Sequence, residues 1–379
     1  MYIDRVLLKT VEEKLVPGKA VLILGPRQVG KSTLLDEVAR RSNFRVLRLD
    51  CDDAAVRARL ETQTLPNLQN VVGNAELLMI DEAQRVKNIG LTLKIILDQM
   101  KTVRILVSGS SSFELSSQIN EPLTGRKWEY TLLPFSTYEM EIFHGAFEES
   151  RLLHRRLIFG MYPEVVKNPG QEIEILNQLA GSYLYKDIFS FQDLRKPELF
   201  EKLLQTLALQ VGSETSYNKL AEVVASDIST VQRYIDLLEK SFIIFRLPTF
   251  SRNLRTELKK SRKIYFYDNG IRNAVIGDYR LPELRTDIGG LWENFLISER
   301  HKRNVFHRFY GKTYFWRTVS HQEIDYLEEY DGALHAYEFR WNTKKQPRLP
   351  GSFLETYPGT SLKVVNPENY QAFLAPGEC

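Results

Sequence analysis

Residues 25–35 read GPRQVGKSTLL and directly follow the apolar run AVLIL at 20–24. An uninterrupted apolar run closed by glycine reads as a buried strand, and KSTLLDEVARR at 31–41 carries apolar residues at helical spacing. Strand, glycine-bounded loop and helix form the setting in which Gly-x-x-x-x-Gly-Lys-Ser grips a nucleotide. Gly25 and Gly30 let the backbone bend so that successive N–H groups converge on phosphate oxygens, and the helix turns its positive end to the same anion. Pro26, Arg27, Gln28 and Val29 fill the loop, and Thr33 carries the binding stretch into the helix. Lys31 is expected to reach the β and γ phosphates, and Ser32 to set its hydroxyl on Mg2+.

A magnesium site needs further oxygen ligands at a neighbouring strand end, and AELLMIDEAQ at 75–84 supplies a buried-looking run ending in Asp81 and Glu82. This is a Walker B pattern, with Asp81 expected to hold the ion and Glu82 to orient and polarise the attacking water. The next apolar run, RILVSGSSSF at 104–113, ends in small hydroxyl residues suited to sensing a γ-phosphate. Ser110 is the first choice and Ser108 the second. In EPLTGRKWEYTLLPF at 121–135, Arg126 follows a glycine before another strand-like segment. An arginine so placed can act on a neighbouring subunit's γ-phosphate, the alternative being a surface salt bridge. Without an Asn-Lys-x-Asp motif for guanine, ATP is preferred over GTP.

The hydrophobic share of 43% and charged share of 26% in 379 residues fit a folded, water-soluble chain of two to four domains. A net charge of +3 leaves any nucleic-acid footprint to local clusters of Lys and Arg. Cys51 and Cys379, the two cysteines, lack disulfide or zinc spacing and fit a reducing compartment. The N-terminus does not read as a secretory signal, and no apolar run approaches the ~18 residues of a membrane span. A cytoplasmic protein without membrane partners is expected.

Taken in order, GPRQVGKSTLL, LLMIDEAQ, LVSGSSSF, LTGRKWEY with LPFSTYEM, GMYPEVV, YLYKDIF, KIYFYDNGI, GGLWENFL and QEIDYLEE resemble a family of bacterial and archaeal AAA+ ATPases that carry a C-terminal domain of unknown function. The resemblance covers nearly the whole chain. It implies an α/β P-loop core with a helical lid and a homo-oligomer, a hexamer being one candidate, because such sites are usually shared between subunits. Gly160 and Pro163 resemble the lid's glycine-proline motif beside the nucleotide base. No sensor arginine is visible in the lid.

The segment TSYNKLAEVVASDISTVQRYIDLLEKSFIIFRLP at 215–248 holds two amphipathic helical patterns split by SDIS, then a strand-like run. This outlines a winged helix-turn-helix, with Asp227 or Ser229 as cap of the second helix. The second helix offers Gln232, Arg233 and Lys240 to DNA. Beyond it, Arg246, Arg252, Arg255, Lys259, Lys260, Arg262 and Lys263 gather in a stretch with few acids, as a phosphate-backbone contact requires. Solvated surface and protein binding are the alternatives. The aromatic run Tyr265–Tyr267 reads as a buried strand rather than a base-stacking platform, and Asp268 is given no catalytic role.

After GGLWENFLISERHKRN the pattern becomes helix followed by strands RFYGKTYFWRT, QEIDYLEEY and LHAYEFRW. Glu293 on the helix, Asp325 on one strand and Glu338 on the next, two positions before Arg340, resemble the restriction-endonuclease-like fold. There, three carboxylates bind magnesium and a lysine activates water. Here the lysine position holds Arg340, which stays protonated, so a degenerate binding domain is favoured over a nuclease. Glu323 is read as a surface acid.

The expected architecture is an α/β chain: P-loop AAA+ core (1–137), helical lid and linker (138–197), winged helix-turn-helix (198–260) and restriction-endonuclease-like domain (261–379). The expected activity is Mg-ATP hydrolysis driving a DNA-engaging motor or switch, with branched or mobile DNA one candidate substrate. The alternatives are a signalling or scaffold switch that binds a protein partner, and an ATP-dependent nuclease.

Overall fold

The computed structural model describes residues 2–110, 119, 121–184, 196–250, 262–318, 322–342 and 350–375. They form two units, Met1–Phe135 with Lys240–Phe242 and Ser136–Glu239 with Ile243–Cys379. No helix among the described residues is long and apolar enough to cross a membrane.

The first unit is built on strands β1 (Ala20–Leu24), β2 (Val46–Asp50), β3 (Leu77–Asp81), β4 (Arg104–Gly109) and β5 (Lys127–Thr131), in the order β2-β3-β4-β1-β5. All neighbours run parallel. Every residue of β1 and β3 is buried, as a parallel sheet covered on both faces demands. Helices α1 (Leu7–Lys14), α2 (Lys31–Arg41), α3 (Ala54–Glu61), α4 (Leu65–Val72) and α5 (Ile89–Gln99) complete the unit. Register pairs Leu24 with Gly109, Asp50 with Asp81 and Ile80 with Val107. Consequently the glycine loop after β1, the acids ending β3 and the serines ending β4 share the carboxyl edge of the sheet, where open α/β sheets bind ligands.

A residue outside every motif fixes that edge. The Arg5 guanidinium is buried, donates to the Val29 carbonyl at 2.8 Å and the Leu133 carbonyl at 2.5 Å, and lies over the Phe135 ring at 4.8 Å. One side chain thus ties the phosphate loop to the segment leaving β5.

In the second unit, helices α6 (Thr137–His144), α7 (Ala146–Arg151), α8 (Leu153–Phe159), α9 (Pro163–Lys167) and α10 (Glu172–Gln178) come first. Ser136 and Glu139 form a capping box on α6. Then follow α11 (Pro197–Leu209), β6 (Glu214–Thr215), α12 (Tyr217–Val224), α13 (Ile228–Lys240), β7 (Ile244–Pro248) and β8 (Arg262–Phe266). The three strands pair antiparallel in the order β6-β8-β7. Asp227, one of the two candidate caps, receives the Thr230 N–H at 2.8 Å and holds the start of α13. β8, just past the expected boundary at 260/261, hydrogen-bonds to β7 and belongs to the small sheet.

Beyond lie α14 (Asn269–Ile276), α15 (Ile288–Phe306), β9 (Lys312–Arg317), β10 (Glu323–Tyr330), β11 (Ala333–Phe339), α16 (Gly351–Thr356), β12 (Ser361–Val365) and α17 (Tyr370–Leu374). Their sheet has the order β12-β11-β10-β9. The Thr249–Phe315 bridge joins it to the chain leaving β7. Buried charges are paired within this unit: Arg300 with Glu328 at 2.7 Å, and Arg156 with Glu149 at 2.8 Å. Asp268 caps α14 through the Ile271 N–H at 3.1 Å and accepts the Met161 N–H at 2.7 Å. A β-carbon on Gly160, whose φ is +66°, would stand 2.0 Å from Asp268 Oδ1, so the packing itself requires glycine there.

Arg5→Ala strands two buried carbonyls; a loss of about 1–3 kcal/mol in urea unfolding is expected. Calorimetry should show ATP affinity falling about tenfold. Asp268→Ala leaves the Met161 and Ile271 N–H groups without their acceptor and should destabilise the chain by roughly 2–4 kcal/mol in the same unfolding assay.

Candidate functional site

Gly25 has φ +153°, and a β-carbon on it would fall 2.0 Å from the Leu132 carbonyl oxygen, so no side chain fits. Gly30, at φ +91°, is the N-cap of α2. Between them Gln28 holds φ +60°, and its buried Oε1 has no hydrogen-bond partner. Lys31 is buried, and its ammonium donates to the carbonyls of Gly25 at 3.0 Å and Pro26 at 2.8 Å. Val29 is buried, whereas Ser32 and Thr33 are exposed in the first turn of α2, where backbone N–H groups lack intrahelical partners. The loop is a concave set of amides at a positive helix end.

Asp81 meets this loop from β3. Burial opposes its charge, but hydrogen bonds from Ser108, Ser32 and Arg48 outweigh that and hold its carboxyl below the usual range. Arg48 Nη2 lies 3.1 Å from Asp81 Oδ2. Glu82 takes a left-handed conformation, φ +50°, which turns the chain out of β3. Gln84 Nε2 donates to Glu82 Oε2 at 2.5 Å and to the Ser110 hydroxyl at 2.9 Å. The two serines weighed as sensors thus divide: Ser108 donates to Asp81, and Ser110 joins Glu82 through Gln84.

Arg5, Arg48 and Gln84 escaped the sequence reading. Gln84 carried a signal, standing two residues after Glu82 in the quoted Walker B run. Arg48 had none, since β2 alternates between exposed and half-buried residues and an arginine there looks like surface.

Arg126 lies elsewhere. Its carbonyl accepts the Ala20 N–H at 3.0 Å, which sets it at the amino edge of the sheet. A strand the length of β1, rising roughly 3.3 Å per residue, separates it from its own phosphate loop. Its side chain is 46% exposed and ion-paired with Asp98.

The second unit gathers Glu293 of α15, Asp325 of β10 and Glu338 of β11, together with two residues that sequence reading misplaced. Lys263, counted in the basic stretch, is 2% exposed and donates to Glu293 Oε1 at 2.8 Å and Glu323 Oε1 at 2.5 Å. Both assignments are thereby corrected: Lys263 faces inward, because β8 packs against α15, and Glu323 is its ion-pair partner rather than a surface acid. Tyr265, buried as expected, donates its hydroxyl to Glu293 at 2.6 Å. Asp325 Oδ2 accepts the Phe339 N–H at 2.8 Å and Arg340 Nη1 at 3.3 Å, and Arg340 Nη2 lies 2.5 Å from Glu338. Burial and the charges of Glu293 and Glu338 push the Asp325 carboxyl above its ordinary range.

Of the proposed DNA contacts, Gln232 is exposed and Arg233 half-buried over the Tyr234 ring on α13. Arg252, Arg255, Lys259 and Lys260 lie outside the described residues. Arg246 is engaged by Asp236 at 2.8 Å and by Glu239. Gly160 and Pro163, expected beside a nucleotide base, belong to the second unit.

Three family models match the chain: an AAA domain over residues 17–141, a domain of unknown function (DUF8612) over 150–280, and a domain of unknown function (DUF4143) over 288–375. An uncharacterized protein of Mycobacterium tuberculosis, Rv2008c, is 25% identical over 93% of this chain and 77% of its own length. An uncharacterized protein of Methanocaldococcus jannaschii, MJ1544, is 24% identical over 85% of this chain and 75% of its own. Among solved structures, the Thermotoga maritima RuvB Holliday junction branch migration motor is 16% identical, with a TM-score of 0.32 over 68% of this chain and 95% of that one. A signal transduction ATPase with numerous domains from Pyrococcus horikoshii is 12% identical, with a TM-score of 0.26 over 80% of this chain and 47% of that one. With a phosphate loop and paired acids on one parallel sheet and the AAA, DUF8612 and DUF4143 matches in series, the chain has the domain make-up of an AAA-type ATPase that carries C-terminal domains of unknown function.

Proposed function

We propose that the chain hydrolyses ATP at the carboxyl edge of the first sheet. The observation that carries this reading is the register that brings the glycine loop with buried Lys31, Asp81 ending β3 and Ser108, which donates to Asp81, to one edge of the sheet. The donor set fits the ligands: a hydroxyl and a carboxylate held ionised suit Mg2+, and a bent loop of backbone N–H groups with buried Lys31 suits a polyphosphate. Ser32 and Asp81 would hold Mg2+, which supplies positive charge beside the transferring phosphoryl group. Lys31 exchanges its bonds to the Gly25 and Pro26 carbonyls for phosphate oxygens. Glu82 orients and polarises the attacking water, and Gln84 holds Glu82 in register with Ser110.

Arg126, unable to reach its own phosphate loop across the sheet, acts on a neighbouring protomer in a cytoplasmic homo-oligomer. The energy drives a DNA-engaging motor or switch. Its DNA contacts are made by α13, through Gln232 and Arg233, and by Arg252, Arg255, Lys259 and Lys260. Supporting this, α11, β6, α12, α13 and the β7-β8 hairpin follow the winged-helix order, with α13 in the recognition position. A second reading, a switch that binds a protein partner, is favoured by Leu281 and Leu284, exposed at 56% and 65% in one short turn.

Steady-state turnover tests the centre: Lys31→Ala should lower it about 10²–10³-fold. Duplex, single-stranded or branched DNA should stimulate the native protein, less so as salt rises. Indifference to every DNA at low salt would favour the protein-partner switch. Arg126→Ala should be as inactive as Lys31→Ala, and mixing the two should restore turnover, since one then supplies the loop and the other the arginine. Mixtures that stay silent would remove the shared site.

A further inference from the structure

The acids of the second unit look like a magnesium site until their partners are counted. Glu293 receives both the Lys263 ammonium and the Tyr265 hydroxyl on one oxygen, at 2.8 and 2.6 Å. Asp325 Oδ2 is taken by the Phe339 N–H and by Arg340, and Glu338 by Arg340. The remaining acid, Glu323, lies 2.5 Å from Lys263 and 3.8 Å from Arg317. A divalent cation needs several of these oxygens to converge on it without donors in between. Each carboxylate here already has a cationic or N–H partner.

Lys263 cannot leave this position cheaply. It sits on β8, the middle strand of the small sheet, and its ammonium lies 5.5 Å from the centre of the Phe315 ring. Burial works against its charge, yet Glu293, Asp325 and Glu323 together raise its pKa above the ordinary lysine range. The ammonium is therefore permanent at any physiological pH. A metal ion among the same carboxylates would face a fixed positive charge at hydrogen-bonding range of its ligands.

We propose that Lys263 takes the place of the divalent cation, so that the carboxylate cluster is a self-neutralised structural core and not a nuclease centre. Arg340, in the position of an activating lysine, completes the neutralisation by holding Asp325 and Glu338. The inference rests on the second unit alone and is independent of ATP hydrolysis in the first.

The test is a Mn2+ titration, by calorimetry and electron paramagnetic resonance, of the nucleotide-free full chain and its Asp325→Asn variant. The expected result is that the two bind Mn2+ identically, and that neither nicks supercoiled plasmid in Mg2+ or Mn2+. A Mn2+ site or plasmid cleavage present in the native chain and lost in Asp325→Asn would overturn the proposal. Lys263→Met keeps the side chain's length and removes its charge. It should unfold at lower temperature, gain a Mn2+ site that Asp325→Asn abolishes, and recover thermal stability when Mn2+ is added. A folded Lys263→Met chain that gains no Mn2+ site would also overturn it; should that variant fail to fold, the comparison of native chain with Asp325→Asn still decides.

Discussion

Where a β-carbon on Gly25 would lie, the Leu132 carbonyl oxygen stands 2.0 Å away, and on that close approach the nucleotide site depends. Amides converge on an anion only if the chain between them is forced into a tight path, and the pressure of Leu132 on one side and Arg5 on the other forces it. The Leu132 N–H also bonds to the Leu24 carbonyl at 2.7 Å, so the backbone leaving β5 both extends the sheet and walls the loop. Register does the rest. Parallel pairing of β1, β3 and β4 brings three strand ends to one edge, and there Ser108 reaches Asp81 while Gln84 reaches Glu82 and Ser110 with ordinary side-chain lengths.

The second unit solves a different problem. It buries many charged groups, among them Arg272, Arg285, Glu299, Arg300 and Glu328, and gives each a hydrogen-bonded or ion-paired partner. Such pairs add little net stability against apolar replacements, but each is costly to break one side at a time. Glu299 shows the pattern: it accepts the Thr137 N–H at 2.7 Å and the Lys302 ammonium at 2.6 Å, serving a distant helix start and its own helix at once. The arrangement penalises any packing that leaves one charge alone.

What was legible in the sequence is what lies contiguous in it. The strand-loop-helix around Lys31 and the acids closing β3 each carry their chemistry in a few adjacent residues, so pattern alone finds them. Arg5 and Arg48 act across the fold on Val29 and Asp81, and neither bears any local mark of that duty. Lys263 was misread for an electrostatic reason: it closes a run of basic residues, and charge density in sequence says nothing about which side of a strand faces inward. Once β8 is seen to pair on both edges and pack on α15, its alternate residues Lys263 and Tyr265 must meet Glu293. The cap at Asp227 was readable because capping is a three-residue affair.

Strand β8 has a mechanical consequence. It pairs with β6 and β7 on its edges, while Asn294 of α15 donates to the Phe266 carbonyl at 3.1 Å and accepts its N–H at 2.7 Å, as a further strand would. The Phe250 N–H bonds to the Phe315 carbonyl at 2.7 Å beside the bridge to β9. Moving β8 relative to α15 would therefore mean breaking the Asn294 pair and the Lys263 and Tyr265 bonds to Glu293 together.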